Sequence, residues 1–236
     1  MFKLWLFGCS FSAQYSDQGY YKMLADKLNA ELCINAYSGA GLGYLMYQSM
    51  KHRHEFAEDD YIIFQTTSLD RGFLSKENPA IALQNNWKSL SKKQKEGYLF
   101  YLLDIHDIDV LKTQFQAWLH GMAYYTKHLR VQPLLTTAWD LGDIELPHKW
   151  KQSKGILRNL STGEFNVPDV EVNKWLESNG FDPRSNHFST PNHYKIADMY
   201  YKALTDKNYI PDFNTLEQNI YNELPKQGMS PDEWIK

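Results

Sequence analysis

Residues 2–12 read Phe-Lys-Leu-Trp-Leu-Phe-Gly-Cys-Ser-Phe-Ser, and the fold of the whole chain turns on how they are taken. One reading makes Lys3, the apolar run and Leu6-Phe7-Gly8-Cys9 a bacterial lipoprotein signal, with Cys9 as the acylated residue. A secretory core needs about 7 to 15 apolar residues behind a positive region. Here only Leu4 to Phe7 follow a single Lys, and the bulky Phe7 stands where a lipoprotein site takes a small residue. The other reading is a short, continuously apolar strand closed by Gly8 and buried on both faces. The strand is favoured, because the chain continues into a helical pattern rather than a flexible tether. Tyr20, Tyr21, Leu24, Ala25 and Leu28 recur at helical spacing, with Ser16 or Asp17 as the expected cap.

The same strand-then-helix unit repeats. Leu32 to Ile34 predicts a second strand, and Asn35 to Gly43 a small-residue loop leading into a helix from Tyr44 to about Glu55. Tyr61 to Phe64 predicts a third strand that empties into the polar loop Gln65 to Arg71. Residues 72–95, with Pro79 and Asn85-Asn86, read as an inserted loop with short helical turns. A long helix is expected from Asp109 to about His128, with Val110, Leu111, Phe115, Trp118, Leu119, Met122 and Tyr125 on its apolar face. It leads to a fourth strand near Arg130 to Thr137. Glycines and prolines over 140–180 predict an irregular excursion with a helix over Val170 to Glu177, and a last helix runs from Pro191 to about Thr205. Residues 206–236, with Pro211, Pro225 and Pro231, form an extension that packs on the domain or on a second subunit. Alternating strands and helices argue for one α/β domain over 1–205, with a mostly parallel sheet covered on both faces.

Composition narrows the function classes. The 236 residues include 43 % hydrophobic and 22 % charged side chains, without any run approaching the roughly 18 apolar residues of a membrane helix. A formal net charge of −3 supplies no broad basic field, so neither a nucleic-acid nor a membrane partner is expected. The basic run Lys51-His52-Arg53-His54 reads as a solvated helix end. Cys9 and Cys33 lack the number and spacing for a disulfide framework or a metal site, so both read as small buried residues of a reduced protein, with no metal and no cofactor called for. The compartment that fits is the cytoplasm or a virion.

Ser10 falls on the turn after the first strand, at the edge where parallel sheets bind ligands. A hydroxyl there can attack an acyl carbon while its own N–H helps hold the oxyanion; alternatively Gly8-Cys9-Ser10 is a tight turn with a capping Ser. A nucleophilic Ser needs a base. Of the eight His residues, His52, His54 and His128 lie near helix ends, His120 is inside a helix, and His106 and His148 fall in unplaced segments. His187, in the polar loop Phe181 to His193, is the one able to fold back over the sheet edge; His193 at the helix start reads as structural.

Taken in order, these blocks resemble the SGNH (GDSL-type) hydrolases. Gly8-Cys9-Ser10-Phe11-Ser12 resembles the family's first block, with Cys9 where Asp is usual; Asn35 to Gly43 resembles the second; His187-Phe-Ser-Thr-Pro-Asn-His193 resembles the last. The resemblance implies a flavodoxin-like three-layer α/β/α sandwich, Ser10 as nucleophile and His187 as base. It implies an oxyanion hole lined by Gly39, or by Gly41 in its place. Two positions depart from the pattern. Gln65-Thr66-Thr67-Ser68 offers no Asn in the third block, so Thr67 would have to donate through its hydroxyl. Arg184 stands where the family places an Asp, leaving Asp182 to orient His187, or else a Ser-His dyad. Arg71 reads as a ligand for an anionic or carbonyl group, or equally as half of a surface salt bridge. Trp139 reads as a stacking surface for a sugar ring, or as a cover for the sheet end.

The implied activity is hydrolysis of a short O-acyl ester, such as an O-acetyl carbohydrate, through an acyl-enzyme intermediate. A second reading is a catalytically weakened member of the fold that binds glycans or serves in phage assembly, where similar small proteins occur. A third, from another class, is a flavodoxin-like nucleotide binder with Ser10, Phe11 and Ser12 as its phosphate loop; it leaves the His187 block without a role.

Overall fold

The computed structural model of the chain describes residues 2–13, 19–69, 91–93, 95–96, 107–138, 141–157, 178, 188 and 190–216. In chain order the elements are β1 (Phe2–Gly8), α1 (Tyr20–Leu28), β2 (Ala30–Ala36), α2 (Leu42–His52), β3 (Tyr61–Gln65), α3 (Ile108–Thr126), β4 (Leu134–Thr136), β5 (Lys151–Gln152) and α4 (Thr190–Thr205). The strands form one sheet in the order β2-β1-β3-β4-β5, and each neighbouring pair is parallel. This is the flavodoxin-like order of a doubly wound sheet. The chain leaves β1 on one side to make β2 and returns on the other to make β3. A crevice for ligand opens at such a switch point, beyond the carboxyl ends of the strands; in this sheet that is the turn after Gly8.

β1 lies inside the sheet, between β2 and β3, and its side chains serve two cores. Leu4 and Leu6 join Leu24, Ala25 and Leu28 of α1 and Ile196, Tyr200 and Ala203 of α4. Trp5 and Phe7 join Leu42 and Leu45 of α2 and Trp118, Leu119 and Met122 of α3. All four strand residues are at most 3 % exposed, and burying each stabilises the fold by about 1.5–3 kcal/mol. Helices therefore cover both faces of the sheet, giving a three-layer α/β/α sandwich. Among the described residues no helix is long and apolar enough to cross a membrane.

The amino-terminal end of β1 is fixed by one buried carboxylate. Asp60 accepts from the Lys3 N–H at 2.9 Å, the Trp5 indole N–H at 2.8 Å and the Ala57 N–H at 3.0 Å. These bonds tie the start of β1 to the turn that precedes β3.

Several local expectations need correction. α1 is capped by Gly19, with no side-chain cap bond; Ser16 and Asp17 lie outside the described residues. β2 is longer than its apolar letters suggested, because it pairs with β1 from Phe2↔Ala30 to Gly8↔Ala36. Cys33 on this edge strand is only partly buried, whereas Cys9 is fully so; both are free thiols. β4 is shorter than expected. Val110 is half exposed, at 51 %, and takes no part in the core face of α3.

Within the expected irregular stretch, Lys151–Gln152 add the edge strand β5. The Lys151 ammonium donates to the carbonyls of Ala203 and Asp206 at the end of α4, so a cation closes the negative end of that helix. Beyond α4, Asp212 bridges to Lys154, and Phe213 is buried against Tyr200, ring centroids 5.9 Å apart. The expected helix over 170–177 and most of the 72–95 insertion lie outside the described residues.

Candidate active site

The turn that carries Ser10 is shaped by an absent side chain. Phe7 pairs with Phe64, so Gly8 lies beside Gln65. A Cβ at Gly8 would come within 3.0 Å of the Gln65 Cβ and 3.2 Å of both the Gln65 Oε1 and the Ser12 Oγ. Glycine is needed there for close approach. The Cys9 carbonyl then accepts from the N–H groups of Ser12 and Ala13, each at 3.0 Å, which closes one helical turn around Ser10 and Phe11. Ser10 is 4 % exposed.

A buried polar chain lies against the turn. The Ser12 hydroxyl donates to Gln65 Oε1 at 2.8 Å; having one proton, it must accept at its 2.7 Å contact with the Tyr20 hydroxyl. The direction is thus Tyr20 to Ser12 to Gln65. Cys9 Sγ also approaches Gln65 Oε1, at 3.8 Å. Burial, then the neighbouring Tyr200 phenol, push the Tyr20 phenol well above its ordinary value, with the Ser12 bond acting against them. Tyr20 therefore remains a donor. Burial also pushes Tyr200 far up, opposed by the Thr136 hydroxyl and the Gln65 amide. Gln65 Nε2, Thr136 Oγ1 and the Tyr200 hydroxyl are buried and interact in this way, yet none is aligned for a full hydrogen bond.

The second loop brings Gly39 and Gly41 to the same edge of the sheet. Gly39 has a φ of 77°, a left-handed conformation that favours glycine, in a turn closed by the Ala40 N–H on the Tyr37 carbonyl at 3.0 Å. Gly41 is the N-cap of α2. Thr67 reaches this loop: its hydroxyl donates to the Ala40 carbonyl at 2.8 Å, and the residue is fully buried. The expected oxyanion donor therefore has its single hydroxyl proton on the loop that carries the glycines. In this structure Thr67 ties the second and third loops together. Tyr37 follows Ala36, the register partner of Gly8, and is 50 % exposed, with its ring 6.3 Å from that of Tyr44.

Asp182, His187, Arg71 and Trp139 lie outside the described residues. The residue after His187 does not. Phe188 is 1 % exposed, and its ring packs 4.9 Å from that of Phe11, the residue after Ser10, and 6.5 Å from Tyr20. His193 is interior, 2 % exposed. Its Nδ1 accepts from the Tyr20 N–H at 3.3 Å and its ring stacks on Tyr20 at 6.0 Å, which fits the structural role read from its place. Of the remaining imidazoles, His52 pairs with Glu55 at 2.8 Å and His128 donates to the Phe56 carbonyl at 2.9 Å. Among the described residues no group of His, Cys, Asp and Glu is arranged to hold a metal ion.

Gln65 and Tyr20, which join Ser12 in the buried chain against the turn, and Tyr37 were given no site role by the sequence pattern. One signal was present: Gln65 closes the otherwise apolar strand Tyr-Ile-Ile-Phe-Gln, and a polar residue at the buried end of such a strand needs partners.

Solved structures with a similar arrangement include the psychrotrophic esterase EstA from a Pseudoalteromonas species, 10 % identical over 87 % of this chain and 97 % of that one, with a TM-score of 0.47. A carbohydrate esterase described as having divergent catalytic and non-catalytic binding functions is 13 % identical over 88 % of this chain and 69 % of its own, also at 0.47. A member of the lipolytic G-D-S-L family from Veillonella parvula is 7 % identical over 88 % of this chain and 100 % of its own, at 0.38. No protein-family model matches this chain, and no curated protein does.

Proposed function

We propose that the chain is a serine esterase acting on short O-acyl esters, with an O-acetyl carbohydrate as the substrate class. The observation that carries this reading is the packing of Phe188 on Phe11. Consecutive Cα atoms are about 3.8 Å apart, so a ring contact between the residue after Ser10 and the residue after His187 supports a meeting of the two loops beyond the carboxyl end of β1. Ser10 Oγ attacks the acyl carbon and its proton passes to His187. The N–H of Ser10 and that of Gly39, or Gly41, receive the oxyanion. His187 then protonates the departing alcohol, and water releases the acyl group from Ser10 by the reverse relay. Asp182 is the acid proposed to orient His187, and Arg71 and Trp139 are proposed to meet the alcohol side. Tyr37, half exposed one strand away from the Ser10 turn, supports a sugar-sized alcohol: its flat face can stack on a ring.

A second reading, a glycan-binding protein of weakened activity, is favoured by the Thr67 hydroxyl being bonded to Ala40. Loss of one oxyanion donor costs about 10²–10³ in rate.

The deciding experiment measures p-nitrophenyl acetate turnover and fluorophosphonate labelling of the wild type, Ser10→Ala and His187→Ala. The esterase reading expects label on Ser10, abolished in the first variant and strongly slowed in the second. A wild type that neither turns over nor labels above Ser10→Ala leaves the binding reading.

A further inference from the structure

We infer that Gln65 is the positioning residue for Ser10, acting through a directed chain of buried hydrogen bonds; this rests on the esterase reading of Ser10. Ser10 lies between two residues that both reach the same atom. Cys9 on one side and Ser12 on the other converge on Gln65 Oε1, at 3.8 and 2.8 Å. The turn is thus held at both shoulders by a group on the neighbouring strand, while the Cys9 carbonyl closes it from within. Gly8 lets the amide in, since a Cβ there would meet it. The chain continues to Tyr20 in the first turn of α1, whose ring packs against His193 and Tyr200 of α4. The rotation of the Ser10 turn is thereby set by β3, α1 and α4 together. A buried amide suits this position, because unlike a carboxylate it brings no charge beside the nucleophile, and unlike a hydrocarbon it fixes orientation.

The partners are fully buried: Ser12, Tyr20 and Gln65 are each 0 % exposed. Water therefore does not replace a deleted member, and the turn must relax instead. Misplacing a reacting atom by about 1 Å costs on the order of 100-fold in rate.

The test compares wild type with Ser12→Ala, Tyr20→Phe and Gln65→Leu. It measures kcat and KM for p-nitrophenyl acetate, the rate of fluorophosphonate labelling, and thermal unfolding. The expected result is a fall of about 10- to 100-fold in kcat and in labelling rate, KM changing little. Ser12→Ala with Gln65→Leu should be no worse than Gln65→Leu alone, as members of one chain are non-additive. Ser12→Ala removes only one oxygen, and it remains informative if Gln65→Leu does not fold. Folded Ser12→Ala and Tyr20→Phe labelling at the wild-type rate, with only their melting temperatures lowered, would assign the chain to stability alone and overturn the proposal. A wild type that does not label removes the esterase reading and this proposal with it, whereas a reactive wild type with equally reactive variants removes this proposal only.

Discussion

Removal of the Asp60 carboxylate is expected to destabilise the fold without altering the chemistry of Ser10. Asp60 is 1 % exposed and holds three donors at 2.8–3.0 Å. In Asp60→Ala the Trp5 indole N–H loses its acceptor inside the core, which costs about 1–3 kcal/mol. The Lys3 and Ala57 N–H groups are partly buried, so water recovers part of their loss, and together they add about 1–2 kcal/mol. The sum, about 2–5 kcal/mol, is a large share of the ~5–15 kcal/mol of a typical domain. Urea unfolding followed by tryptophan fluorescence reads it directly: with a slope of about 2 kcal/mol per molar, the midpoint falls by about 1–2.5 M. Trp5→Phe removes the buried donor instead, and the double variant should lose clearly less than the two single losses added. Because Asp60 sits at the amino-terminal end of β1 and Ser10 beyond its carboxyl end, the labelling rate per folded molecule should match wild type. A midpoint shift below about 0.3 M, or strict additivity with Trp5→Phe, would refute the assignment of Asp60 as the anchor of β1.

Gly8→Ala should lose about 1–3 kcal/mol through overpacking against Gln65 and slow phosphonate labelling of Ser10, both read on one sample by melting and mass spectrometry. Tyr37→Ala should raise KM for an acetylated sugar several-fold, about 1 kcal/mol of lost stacking, while p-nitrophenyl acetate kinetics stay within about twofold; equal effects on both substrates would remove Tyr37 from alcohol recognition. Alkaline pH should unfold the protein steeply. Tyr20 and Tyr200 have phenols raised above 10.0 by burial, so above that value the unfolded chain releases protons that the folded chain keeps, and stability falls as pH rises from about 10 toward the folded values. Tyr200→Phe should flatten that slope in urea midpoints taken from about pH 9 to 11.

The sheet was legible in the sequence because β1 and β3 are buried on both faces, and such strands are written as unbroken apolar runs. α1 was legible because Tyr20, Tyr21, Leu24, Ala25 and Leu28, all buried, mark one helical stripe. β5 was not, since Lys151–Gln152 make a two-residue edge strand whose place is set by the neighbouring strand and by the carbonyls that Lys151 meets on α4. Ser10, Gly39 and Gly41 could be placed by element order alone, because strand ends in a parallel sheet converge on one edge. Thr67 could not be assigned a partner from its letters: which acceptor takes a hydroxyl proton is a matter of fractions of an ångström. Gln65 was hidden for a related reason, since its polar letter groups it with the loop beyond, when it is the last residue of the strand.

The missing side chain at position 8 has an evolutionary corollary. The volume it vacates is filled by the amide from position 65, so the two sites share one allotment of space across neighbouring strands. Descendants that place alanine at the first should carry a shorter residue at the second, and drift at either alone should be purged, making the pair a single heritable unit.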